Sequence, residues 1–241
     1  RTNGEERYYA AYTSALFEDF NPRFVLVGGE HFGAGLGTSG FLNDDWIINL
    51  ALAARDYSDT RAARADALRK FRSFQLPSAD EIFVEQQRDV FTQFAAGLRY
   101  ATEDNLAISV EYLFQDQGLD ENNWDDYFDL LEVSEQAFQF SGADVFRDYQ
   151  LLFAQETDNT VRRDLMLGRQ YLMAHVQRDQ AELQRLSWET STIYNIEDQS
   201  FALNVHLSSQ LSRHFEVYFG GGYLGGRDSS EFGRLGTSGV G

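Results

Sequence analysis

The 241-residue sequence has no cysteine, one lysine (Lys70), two prolines and no run of 18 or more apolar residues. Without thiols there is neither a disulfide framework nor a thiolate metal site. Without a long apolar run there is no helix able to cross a bilayer, although strands cross one with only about 9–11 residues of alternating character. Cations are scarce overall: 20 Lys and Arg stand against 38 Asp and Glu, a formal net charge of −18. Such acidity argues against a nucleic-acid partner, since phosphate binding needs a basic face. The four histidines, His31, His175, His206 and His214, fall in no spacing that would place two on one face of a helix or chelate. No metal and no cofactor is therefore expected.

What the sequence does have is alternation. Phe94, Ala96, Leu98 and Tyr100 alternate with Gln93, Ala95, Gly97 and Arg99. After a polar turn, Thr102-Glu103-Asp104-Asn105, the residues Leu106, Ile108, Val110, Tyr112 and Phe114 alternate with Ala107, Ser109, Glu111 and Leu113. Successive strand side chains point to opposite faces, so each run has one apolar face and one polar face. One such hairpin would suit a soluble sandwich equally well, so recurrence decides the matter.

The pattern recurs. Tyr8 to Phe17 and Phe24 to Gly29 are short candidates. Trp46 to Tyr57 is clear, with Trp46, Ile48, Leu50, Leu52 and Ala54 against Ile47, Asn49, Ala51, Ala53 and Arg55. Met166 to Val176, Leu186 to Tyr194, Phe201 to Leu207 and Phe215 to Tyr223 follow. That makes about nine strands by the period-two criterion. Gly33 to Asp45 fits less well and reads as a long turn or a misplaced strand boundary. It is not a phosphate-binding loop, because no lysine-bearing helix pattern follows its glycines.

Aromatic residues bracket the apolar faces: Trp46, Phe94, Tyr100, Tyr112, Phe114, Trp188, Tyr194, Phe201, Phe215 and Tyr223. Charges sit on the opposite faces: Arg55, Arg99, Glu111, Arg169, Arg185, Glu189 and Glu216. An apolar band between aromatic girdles, backed by a polar face, is the pattern of a lipid-facing barrel around a wet lumen. Short connections (102–105, 178–184, 212–214) also alternate for the most part with longer ones (57–89, 115–161, 195–199, and beyond 225).

On these residues the chain resembles the bacterial outer-membrane β-barrels and, more loosely, the porins. The resemblance implies an all-β, antiparallel transmembrane β-barrel over 1–241, with helical segments in long loops. It places the chain in the outer membrane of a Gram-negative cell envelope, in contact with membrane lipid and lipopolysaccharide, and with other envelope proteins as further possible partners. Two departures stand out. The chain ends Gly236-Thr237-Ser238-Gly239-Val240-Gly241 without a terminal aromatic residue, and nine strands is an odd number. Both point to part of a larger barrel or to strands still uncounted.

The loops carry their own signals. Residues 116–160 hold twelve acidic side chains and one base, Arg147, for a net −11. Trp124, Tyr127, Phe128 and Leu131 recur at helical spacing, Gly142 is placed to end that helix, and Val145, Phe146, Tyr149, Leu152 and Phe153 form a second stripe. A basic loop, with Arg61, Arg64, Arg69, Lys70 and Arg72, could pair with the acidic one across the mouth. The acidic loop lacks the ligand spacing of an EF-hand.

For function, Arg55, Arg99, Arg169 and Arg185 facing Glu111, Glu189 and Glu216 would set a transverse field and an ion preference. The expectation is passage of small polar solutes through a charged lumen. The rival is a non-conducting barrel that acts as a scaffold or docking partner. His175 or His206 with a lumenal serine could in principle form a nucleophilic site, but no nucleophile elbow exists, and an enzyme is not expected.

Overall fold

A computed structural model describes residues 9–17, 19–29, 31–57, 90–119, 166–179, 186–212 and 214–233, with short pieces between 61 and 85 and between 128 and 151. Ten strands form one antiparallel sheet in chain order: β1 (Tyr9–Ser14), β2 (Phe20–Gly28), β3 (Gly33–Phe41), β4 (Trp46–Arg55), β7 (Phe91–Ala101), β8 (Leu106–Gln115), β9 (Gln170–Arg178), β10 (Leu186–Asn195), β11 (Ser200–Ser212) and β12 (Phe215–Gly225). A separate two-stranded ribbon, β5 (Arg61–Ala63) with β6 (Phe83–Glu85), lies in the β4–β7 connection. Among the described residues, β1 and β12 are the edges of the sheet and do not pair with each other.

The count of nine becomes ten because Gly33–Phe41 is a strand, paired with β2 and β4 along its length. Its alternation is real but muted. Ala34, Leu36 and Thr38 share one face, while the other carries Gly33, Gly35 and Gly37, which have no side chain to reveal a period.

The cross-strand register fixes which residues share a face. One polar-face row runs Ser39, Asn49, Gly97, Glu111, Met173, Ile193 and Ala202 across seven neighbouring strands. A neighbouring apolar row runs Leu36, Leu52, Phe94 and Phe114. The buried strand side chains, Phe91, Ala107, Gln115, Tyr171, Asn195, Ser200 and Ala202, all lie on the polar face, which is therefore the interior. The apolar face is open: Leu36, Leu52, Val110, Leu172, Val217, Phe219 and Tyr223 are all exposed, Phe219 at 67%. Among the described residues only six apolar side chains are buried, against 28 large exposed ones. An exposed apolar surface of this extent marks a face made for contact with something other than water. A bilayer supplies that contact.

Hairpin chemistry sets the ends. Asn105 closes the β7–β8 turn at φ 60°, and Gln199 closes the β10–β11 turn at φ 59°. In the β3–β4 turn the Asn43 side chain accepts from the amides of Asp45 and Trp46, each at 3.0 Å. The connections 15–19, 42–45, 102–105, 179–185 and 213–214 fall at one end of the sheet. The connections 29–32, 56–90, 116–169 and 196–199, with the residues after β12, fall at the other. The long connections thus share one end, as the sequence suggested. In the acidic loop, Gly142 does end a helical segment that includes 135–140: its φ is +62° and its amide donates to Phe138 O at 2.7 Å, a glycine C-cap. In the basic loop Arg61 lies in β5, while Arg69 and Lys70 are helical. Trp124, Tyr127, Leu131, Val145, Phe146, Tyr149, Leu152, Phe153, Arg64 and Arg72 lie outside the described residues, so pairing of the two loops is not on view.

Candidate functional site

The interior face is the candidate site. Its N-terminal half is shaped by small residues. Gly37, Ala51, Ala95 and Gly97 sit side by side on β3, β4 and β7, and leave a trough of about 270 Å³. Arg23 of β2 lines one side and Glu111 of β8 the other, with Ser39 and Asn49 between them. Glu111 leans across β7, since a Cβ on Gly97 would lie 3.4 Å from its Oε2. Glycine there gives the carboxylate room to reach over the neighbouring strand. A second cavity of about 340 Å³, toward the short-turn end, is lined by Asp19, Asn21, Asn49 and Arg99 among others. Opposite charges therefore flank small spaces whose walls are otherwise mostly apolar in this half of the sheet.

The expected lumenal residues distribute as follows. Arg99 and Glu111 lie on the interior face, one residue pair apart along the β7–β8 ladder. Arg55 ends β4 on the same face at the long-loop end, its guanidinium carbon 5.1 Å from the Tyr57 ring centroid, a cation–π contact. Arg169 precedes β9 at that same end, where its carbonyl accepts from Gln115 N at 2.9 Å. Glu189 and Glu216 lie on the interior face of β10 and β12. Arg185 falls outside the described residues. Among the described residues Arg23, Arg55 and Arg99 stand on β2, β4 and β7, Glu111 on β8, Arg169 just before β9, and Glu189 and Glu216 on β10 and β12.

The acidic half carries both interior histidines. His175 Nε2 lies 3.1 Å from Glu189 Oε1. Glu189 is directly opposite His206, which stacks on Tyr218 with ring centroids 6.0 Å apart. The Tyr218 hydroxyl donates to Glu216 at 2.5 Å. Ser191 faces His175 across the ladder, but the histidine's close partner is a carboxylate. The described residues contain no group of three or more side chains placed to hold a metal.

A third feature, not anticipated from the sequence, fills the interior at the long-loop end. The segment 226–233 leaves β12 and folds back over β11, β10 and β9. There Glu231 accepts from the Tyr171 hydroxyl (2.7 Å), Asn195 Nδ2 (2.8 Å) and the Leu167 amide (3.1 Å). Its own amide donates to Asp198 Oδ2 at 2.6 Å. Burial pushes the Glu231 carboxyl up from the ordinary range, the three donors pull it back, and the charge of Asp198 raises it further. Gln115 adds to the same region by donating to the carbonyls of Met166 and Gly168 at 2.6 and 2.8 Å. Arg23 was legible in principle, because it continues the alternation of Val25 and Val27 one step beyond Pro22. Glu231 had no comparable signal, since its partners are separated from it by at least 33 residues.

No protein-family model matches this chain, and comparison with curated proteins gives no match. Two solved structures are similar to it. One is OccK11 (OpdR) of Pseudomonas aeruginosa, with a TM-score of 0.48 and 10% identity over 91% of this chain and 53% of that chain. The other is OccK8 (OprE) of the same organism, with a TM-score of 0.44 and 10% identity over 90% of this chain and 53% of that one. The chain spans about half the length of the solved structures it matches.

Proposed function

We propose that this chain forms the wall of a bacterial outer-membrane channel that passes small polar solutes through a charged lumen. The observation that carries this reading is the inverted surface. Across the ten-stranded sheet most large apolar side chains face outward, while most charges and amides face inward. That arrangement needs lipid on one side and water on the other. The trough between Arg23 and Glu111 gives the water side a place where a polar solute meets both signs of charge.

The test is conductance of the detergent-refolded chain in planar bilayers, where discrete steps are expected. Glu111→Lys should shift ion preference toward anions, because it replaces a negative charge by a positive one on a wall already carrying Arg23 and Arg99. Steps with unaltered preference would remove the charged wall from the mechanism. One observation favours the non-conducting docking barrel: the hydrogen-bonded packing around Glu231 fills part of the long-loop end. Silence from a well-folded chain would select that reading.

A further inference from the structure

We propose that residues 226–233 form a releasable strap across the interior at the long-loop end, clasped by Glu231, whose release widens the mouth of the channel. The widening rests on the channel reading above; the clasp does not.

Three observations carry it. First, the strap is built to turn inward. Gly226 has φ +152°, and a Cβ there would collide with both Ser200 and Ser230, so only glycine lets the chain leave β12 and double back. Second, buried polar contacts knit the strap's own turn and the wall beneath it, and one of them joins the two. Ser230 and Ser200 are fully buried: Ser230 Oγ donates to Arg227 O at 2.6 Å, and Ser200 Oγ donates to Asp198 at 2.6 Å and accepts from Phe232 N at 3.3 Å. Such contacts break and re-form without exposing a large apolar core. Third, one carboxylate gathers the strands. Through Glu231 the strap is tied to Tyr171 on β9, Asn195 at the end of β10 and the backbone before β9. Tyr171 is itself fixed, because its oxygen also accepts from the Gly168 amide. Asp198, in the β10–β11 turn, is the charged neighbour facing Glu231 from another element. It holds the strap's backbone while its charge opposes that of Glu231, so the clasp is both bound and under electrostatic tension.

The chain has no cysteine, which makes a single reporter thiol unambiguous. The experiment uses refolded full-length chain in lipid, with Ser230→Cys as reporter and a maleimide as probe. Labelling should be slow with Glu231 present. It should rise roughly tenfold or more with Glu231→Ala, and by less with Tyr171→Phe, as the hydrogen bonds that Glu231 accepts are lost. Single-channel conductance should rise in the same order. Oxidising a Ser200→Cys/Ser230→Cys pair in the Glu231→Ala background should restore the smaller conductance, and a reductant should reverse that. Heat-modifiable migration on a gel confirms folding of each variant, with Glu231→Ser, too short to reach Tyr171 and Asn195, as the replacement should alanine fail. Labelling that ignores residue 231 overturns the clasp. Labelling that responds while conductance does not overturns the gate. If every variant, the parent included, is silent in bilayers while labelling still responds to residue 231, then the channel reading falls, the gate falls with it, and the clasp stands.

Discussion

Glu231 shows how one side chain can make an element depend on pH. Its carboxyl is buried, and desolvation outweighs the hydrogen bonds that stabilise its anion, so its folded-state value lies above the unfolded one. Between those two values the folded chain holds more proton than the unfolded chain. Its contribution to stability is therefore complete below the ordinary carboxylate range and is lost as pH rises through the raised value. The strap should be tightest at and below the ordinary carboxylate range and loosen as pH rises above it, and Glu231→Gln should flatten that dependence. Amide exchange of Phe232 and Gly233 across the carboxylate range checks this; a wild-type profile as flat as the variant's would contradict it. Asn105 is a second residue whose conformation has a measurable consequence. At φ 60° it occupies a region that β-branched residues avoid. Asn105→Val should cost about 1–2 kcal/mol of hairpin stability, while Asn105→Gly should stay within a few tenths, as read by denaturant titration in detergent.

At the scale of the strand, the alternating faces make neighbours in sequence unequal. Leu50 is exposed on the outer face at mid-strand in β4, and Ala51 follows it on the interior face against Gly37 and Ala95. Leu50→Arg should destabilise the folded barrel by about 2–4 kcal/mol, the cost of a cation at the bilayer midplane. Ala51→Arg should leave stability nearly unchanged but fill the trough and lower conductance. Equal effects of the two on stability would mean that the faces are misassigned. This alternation is also why the strands were readable in advance. In β4, β7, β8, β10, β11 and β12 most large apolar side chains fall on one parity, and local periodicity alone locates them. β3 escaped because Gly33, Gly35 and Gly37 erase the contrast that a period needs. The Glu231 clasp escaped for a different reason, because its members are joined only by the fold.

For the whole molecule, the decisive feature is the pair of strand edges. Backbone amides facing hydrocarbon have no water to bond, and each one left unpaired costs several kcal/mol. β1 and β12 bound the described sheet, and the face beside them is apolar through Phe24, Leu26, Phe215, Val217, Phe219 and Tyr223. In lipid, both edges must therefore be paired along their length, whatever supplies the pairing strand. The measurement is amide exchange of the refolded chain in bilayers. The amides of β1 and β12 should be protected to the same degree as those of β7, which has a neighbour on each side. In a denaturing detergent that dissolves the barrel, all three should exchange together. Fast exchange at β1 and β12 beside a protected β7 would place the edges in water. The outward leucines and phenylalanines would then need a protein partner in place of lipid, and the membrane assignment would fail.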